Sequence, residues 1–265
     1  MLTLQELTKQ IEKKISDYIE FDVNEIFNLS DYITIYGGAV RDSIAGLEIH
    51  DIDILCMPTS AQKLLFFLRE QRGYDSLDLY DPDSLNMYHG LSLISDPWTL
   101  MNKNRKIIQI IRPRYYGTLG KSTEEEYRDA YVNLLKNVDL SCCGVFLEHT
   151  DPRLESKKLM LKESCKNGIV HCLSKTFQIN EWAKLYTPDR TAFRDQKLSS
   201  RGWYNIGSKP FFRTEKDFIR SERRLKIATL EFKIEEDYKI WTEEEYHTRP
   251  RTMSFNNDDW DDLPF

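Results

Sequence analysis

Asp51 and Asp53 stand two residues apart in the run Asp51-Ile52-Asp53-Ile54-Leu55-Cys56. Side chains alternate between the faces of an extended chain, so both carboxylates point one way while Ile52 and Ile54 point the other. Carboxylates held this close repel each other and lose hydration unless something positive neutralises them. A divalent cation such as Mg2+ (or Mn2+) does so, because it accepts one or two protein carboxylates and completes its shell with phosphate oxygens and water. Upstream, the β-rich run Ile33-Thr34-Ile35-Tyr36 stops at Gly37 and Gly38 and passes into a short helix-compatible segment, Ala39 to Leu47, punctuated by Gly46. Glycine lets backbone come close to a ligand, and a helix start presents N–H groups to a phosphate. The spacing therefore predicts a strand, a tight turn, a short helix and a second strand, arranged around a phosphate-bearing ligand and a metal ion.

Gly37, Gly38, Val40, Arg41, Asp42, Gly46, Asp51 and Asp53 fall in the order Gly-Gly-x-Val-Arg-Asp, short helix with Gly, Asp-x-Asp. This stretch resembles the head-domain signature of the class II tRNA nucleotidyltransferases and bacterial poly(A) polymerases. The resemblance extends over residues 32–147. It implies an α+β nucleotidyltransferase-type fold, a mixed sheet flanked by helices, and an NTP as substrate with a nucleic-acid 3′ end or another hydroxyl as acceptor. Asp51 and Asp53 would be catalytic and metal-binding, and Gly37, Gly38 and Arg41 would hold the nucleotide. Asp42 reads as a brace for the short helix. A second family signature, Arg-Arg-Asp-Phe-Thr-x-Asn-Ala, is similar to Asn137-Val138-Asp139-Leu140-Ser141-Cys142-Cys143-Gly144, with Asp139 at the Asp position and neither arginine retained. Asp139 is thus either a nucleotide-contacting or substitute acidic residue, or a strand-start Asp satisfied by backbone N–H groups. The family places a further acid on the strand that here reads Lys106-Ile107-Ile108-Gln109-Ile110-Ile111, at the position of Gln109, and glutamine supplies no charge.

The elements that must position these residues are legible to different degrees. Leu4, Leu7, Ile11, Ile15, Tyr18 and Ile19 recur at helical spacing and predict an amphipathic core helix over residues 3–20. Ser60 is placed to cap a helix running to Gly73, and Leu77 to Tyr80 and Leu91 to Ile94 read as strands. Residues 106–113 form an apolar central strand stopped by Pro113. Ser122 with Glu125 makes a capping box that opens a helix through Leu135, and Asn137 to Phe146 reads as a strand. Asn167-Gly168 is a hairpin signal between two apolar runs, and Phe177 to Tyr186 reads as a helix that Pro188 ends. The expected organisation is a head over residues 1–150, a small α/β extension over 151–245 and a flexible acidic tail over 246–265. No Glu-Asp-x-x-Arg element and no long helical neck and body follow the head, which argues against CCA addition.

The chain of 265 residues, 40% hydrophobic and 30% charged, has the make-up of a soluble protein with ample core. No apolar run approaches the roughly 20 residues that span a bilayer, and the N-terminus lacks a signal-peptide core, so a cytoplasmic protein without membrane contact is expected. Five cysteines, Cys56, Cys142, Cys143, Cys165 and Cys172, without a C-x-x-C pair read as buried thiols rather than as a disulfide framework or zinc site. A net charge of -6 leaves nucleic-acid contact to local patches. Residues 190–226 carry such a patch, rich in Arg and Lys with Phe193, Trp203, Tyr204, Phe211, Phe212 and Phe218 interleaved. It reads either as a stacking platform for a single strand or as a solvated helix face over ordinary core aromatics, and Arg201 sits in a turn placed to cover the nucleotide. The chain ends NNDDWDDLPF. That ending resembles the acidic tip of bacterial single-stranded DNA-binding proteins, which implies that Asp261, Asp262, Leu263, Pro264 and Phe265 recruit replication or repair proteins. Two functions remain open: a nucleotidyltransferase, or a non-catalytic single-strand-binding or replication-accessory protein on the same fold.

Overall fold

A computed structural model describes residues 3–77, 97–114, 122–149, 158–186, 188–207 and 215–231. The expected strand at Leu91 to Ile94, all but the first residue of Leu77 to Tyr80, the aromatics Phe211 and Phe212, and the acidic tip lie outside them.

The chain opens with α1 (Leu4–Ile19), whose Thr3 and Glu6 form a capping box. Leu7, Ile11, Ile15 and Ile19 are fully buried along one stripe. Each contributes about 2 kcal/mol by leaving water. A one-turn α2 (Asn24–Phe27) leads to β1 (Ile33–Tyr36), α3 (Gly38–Ile44) and β2 (Asp51–Cys56). Then come α4 (Pro58–Phe66), which continues as a wider turn over Phe67–Gln71, and strands β3 (Tyr74–Ser76), β4 (Trp98–Asn102) and β5 (Ile107–Ile111). Helix α5 (Thr123–Lys136), a 3-10 turn (Ser141–Cys143), β6 (Val145–His149) and β7 (Leu159–Glu163) follow. The remainder is α6 (Gly168–Ser174), β8 (Thr176–Phe177), α7 (Glu181–Tyr186), α8 (Pro188–Ser200), β9 (Tyr204–Asn205) and α9 (Glu215–Glu231).

Strands β1 to β7 form one mixed sheet in the order β3-β4-β5-β2-β1-β6-β7, and β8 pairs with β9 in a second, two-stranded sheet. The α+β mixed sheet flanked by helices is the expected fold class. Its edge strand β7 lies beyond residue 150, so the sheet continues into the stretch expected to be an extension. β1 and β2 are antiparallel, with Tyr36 opposite Asp53, whereas β2 and β5 are parallel, with Asp53 opposite Gln109. One buried cluster joins Ile35, Ile52, Ile54 and Ile108 to α1. The other joins Tyr32, Leu55, Met57 and Ile111 to Tyr131, Val132, Leu134 and Leu135 of α5, whose capping box at Ser122 and Glu125 is present. No helix among the described residues is long and apolar enough to cross a membrane.

Several local expectations are corrected. The strand expected over residues 137–146 is a 3-10 turn followed by a strand that starts at Val145. Asn167-Gly168 makes no hairpin, because left-handed Asn167 (φ 64°) leads directly into α6. The helix expected over Phe177 to Tyr186 starts only at Glu181, since Phe177 belongs to β8; it ends at Tyr186 as expected, and Pro188 also opens α8, where its missing N–H costs nothing. Ser60 does not cap α4, which begins after Met57; its hydroxyl meets that of Ser30 at 2.7 Å. Strands β3 and β4, at residues 74–76 and 98–102, stand where the sequence predicts none.

Candidate phosphate and metal site

Asp51 and Asp53 share one face of β2, Asp51 exposed and Asp53 half-buried. Tyr18 of α1 fixes the end of the strand that carries Asp51: its hydroxyl donates to the His50 carbonyl (2.5 Å) and accepts the Ile107 N–H (3.0 Å). Gly37 turns the chain beside the pair, with φ 70° and ψ −126°. A Cβ on it would lie 3.7 Å from Asp53 Oδ2, so the absent side chain leaves Asp53 uncovered. The Gly37 N–H is committed to the Val145 carbonyl at 3.3 Å.

Asp53 Oδ1 is buried without a hydrogen-bond partner. Burial first, and the Asp51 charge second, raise the Asp53 carboxyl to about 7, against the pull of Arg194 and Arg41. A buried acceptor left open in this way is costly, and a bound cation would satisfy it. Among the described residues no group of three His, Cys, Asp or Glu side chains is arranged to hold a metal ion. Two carboxylates on one strand face are the protein ligands that a cation such as Mg2+ takes when phosphate and water supply the rest. Gln109, in register with Asp53, brings no third charge to that face.

Arg41 lies behind the glycine turn with its donors already engaged. Nε and Nη2 donate to the two oxygens of Asp42 at 2.7 and 2.8 Å, and Nη1 reaches Cys143 Sγ at 3.4 Å. The guanidinium also stands over the Trp203 ring, 5.5 Å from its centroid. Burial opposes the charge on Arg41, but Cys143 and Asp42 outweigh it and hold the group firmly protonated. Asp42 is thus the brace of Arg41. Buried Asp139 accepts two bonds from Arg194 Nη1, at 2.6 and 2.8 Å, while Arg194 Nη2 donates to Cys143 Sγ at 3.2 Å. Its neighbourhood is an ion pair rather than a set of backbone N–H groups. Arg201 is exposed in the turn after α8, and the Trp203 that follows is the residue that meets Arg41.

The structure therefore brings Asp51, Asp53, Gly37, Gly38 and Arg41 together, and Arg194 and Arg41 also act on the Asp53 carboxyl. Arg194 and Cys143 were missed as members of this neighbourhood. Arg194 was visible only as one of many basic residues, and Cys143 stands where the resembled signature has Asn. Of the basic segment, Arg220, Arg223, Arg224 and Lys226 are exposed on α9, while Trp203 and Tyr204 are core residues.

No protein-family model and no curated protein sequence matches the chain. Solved structures are similar to it at low identity. A Thermotoga maritima CCA-adding enzyme complexed with tRNA is 17% identical, with a TM-score of 0.46 over 86% of this chain and 45% of that one. A CCA-adding enzyme in complex with ATP is 16% identical, with a TM-score of 0.47 over 85% and 44%. A tRNA nucleotidyltransferase with a primer tRNA and an incoming ATP analog is 17% identical, with a TM-score of 0.42 over 75% and 47%. This chain spans less than half the length of each of these structures.

Proposed function

We propose that the protein is a nucleotidyltransferase that moves a nucleotide from an NTP to a hydroxyl acceptor, a nucleic-acid 3′ end or another hydroxyl, at Asp51 and Asp53. The observation that carries this reading is the buried, unpartnered Asp53 Oδ1, on the same strand face as Asp51 and beside the uncovered Gly37 turn. Mg2+ or Mn2+ bound there would neutralise the charge that develops on the triphosphate. Asp51 and Asp53 hold that cation. Gly37 and Gly38 keep the approach free of side chains, and Arg41, fixed by Asp42, supplies positive potential close behind the turn. The exposed Arg220, Arg223, Arg224 and Lys226 of α9 would meet the phosphates of a nucleic-acid acceptor.

A second reading rests on a different observation. Gln109 stands in register with Asp53, and both arginines near the pair are engaged with Asp42 and Asp139. On this reading the fold holds single strands through its basic surface without chemistry, and the acidic tip Asp261, Asp262, Leu263, Pro264, Phe265 recruits replication or repair proteins. Incubation with each labelled NTP and Mg2+ or Mn2+, with RNA, with single-stranded DNA and with neither, separates the two. The enzyme reading expects label transfer that is abolished in the Asp51→Ala/Asp53→Ala variant. No transfer under any condition, with single-strand binding retained by the variant, overturns it and leaves the binding protein.

A further inference from the structure

The turn Ser141–Cys143 gathers four of the protein's five cysteines, all of them free thiols. Cys142 and Cys143 belong to the turn itself. Cys165 packs over Gly144 so closely that a Cβ there would lie 2.7 Å from its sulfur. Cys172 of α6 donates to the Cys142 carbonyl at 3.2 Å. Cys143 differs from the others in its company. Two guanidinium groups from separate helices, Arg41 Nη1 of α3 at 3.4 Å and Arg194 Nη2 of α8 at 3.2 Å, both donate to its sulfur. Each of these arginines is already matched by its own carboxylate, Asp42 or Asp139, so the sulfur is an additional acceptor held between two cations. Such a setting favours the thiolate over the thiol.

We propose that Cys143 is a modification site, a buried thiolate clamped by Arg41 and Arg194 that reacts with small uncharged electrophiles and hydroperoxides. With hydrogen peroxide the sulfur attacks one peroxide oxygen. An S–O bond forms as the O–O bond breaks, and the departing hydroxide takes a proton and leaves as water. Sulfur has given two electrons to the peroxide, and Cys143 is left as a sulfenic acid. With iodoacetamide an S–C bond forms and iodide leaves. Either product removes the negative charge that both arginines share, and so loosens the contact of α8 with the turn. Burial restricts the reagents, because Cys143 is only 4% exposed and a bulky or charged disulfide would not reach it.

The electrostatics agree with the geometry. A hydrogen bond from Cys142 in the first place, then Arg194 and Arg41, bring the Cys143 thiol down to about 6, although burial and Asp139 act the other way. Asp53, Cys165 and Cys172 are the other titratable groups that interact with it. In contrast, burial drives Cys56, Cys142, Cys165 and Cys172 above the ordinary thiol range.

The test needs no nucleotide and is therefore independent of the function proposed above. The full chain is treated at neutral pH with hydrogen peroxide in the presence of dimedone, or with iodoacetamide alone, and the labelled cysteines are mapped by peptide mass spectrometry. Cys143 is expected to take the first equivalent, about tenfold faster than the next thiol. Its alkylation rate should rise with a midpoint near pH 6. Cys143→Ser should remove that first equivalent. Arg194→Met should slow labelling and move the midpoint upward, whereas Arg194→Lys, which keeps the charge, should preserve fast labelling. First labelling at Cys165, the least buried of the five, or no reaction at Cys143 until denaturant is added, overturns the proposal.

Discussion

Gly37 combines φ 70° with ψ −126°, a conformation that only glycine adopts without strain, and a Cβ on it would lie 3.7 Å from Asp53 Oδ2. Gly37→Ala should therefore cost about 1–3 kcal/mol of stability, seen as a lowered denaturation midpoint with an unchanged slope. A neutral outcome would mean that the turn relaxes and that its glycine is not needed for the backbone. At this scale the sequence was most informative where chemistry is local. Asp51 and Asp53 share a face because a strand has a period of two, and nothing distant can change that. Arg194 was hidden because it meets Asp139 at a separation of 55 positions, and helix periodicity does not report which buried acid a cation will find. Asp53 itself was legible as a carboxylate but not as an unpartnered one, since pairing depends on what every neighbouring strand brings.

Helix α6 is tied to the turn Ser141–Cys143 by the His171 Nδ1 to Ser141 Oγ hydrogen bond of 2.6 Å. Burial lowers the His171 imidazole from 6.5 to about 4, so the ring is neutral in the fold and takes a proton on unfolding between those values. Its contribution is complete above pH 6.5 and is lost as pH falls through about 4, up to about 3 kcal/mol. The raised carboxyls of Asp53 and Glu163 act in the opposite sense, losing their contribution as pH rises. The measurement that isolates His171 is thus the difference in unfolding free energy between wild type and His171→Gln from pH 7 to pH 4. That difference should shrink on acidification, and a flat profile would mean that the ring titrates alike in both states. Helices α1 and α5 were legible because each carries its own capping box and apolar stripe. The start of α6 was not, because left-handed Asn167 followed by glycine serves a hairpin and a helix entry equally well, and only packing decides. Gly168 lies so close to Ser141 and Val145 that a Cβ there would sit 3.1 Å from the Ser141 carbonyl, and this fixes the helix against the turn.

At the scale of the whole molecule, α8 is joined to the segment before the turn Ser141–Cys143 by the pair Asp139 with Arg194, of which the acid is 5% and the arginine 27% exposed. Removing one partner strands the other, so Asp139→Ala should destabilise the protein by about 3–5 kcal/mol. The double variant Asp139→Leu/Arg194→Met should lose less than the two single changes summed, and strict additivity would show that the pair is not coupled. The order of the strands also sets an order of events. β2 finds an antiparallel neighbour in nearby β1, but its parallel neighbour β5 arrives only after residues 57–106 have been spanned. Closing so long a loop costs chain entropy before any contact repays it, and parallel pairing forms slowly for that reason. The Asp51 and Asp53 face is therefore completed late in folding, and a nascent chain interrupted before residue 107 would carry both carboxylates on a strand still missing one of its neighbours.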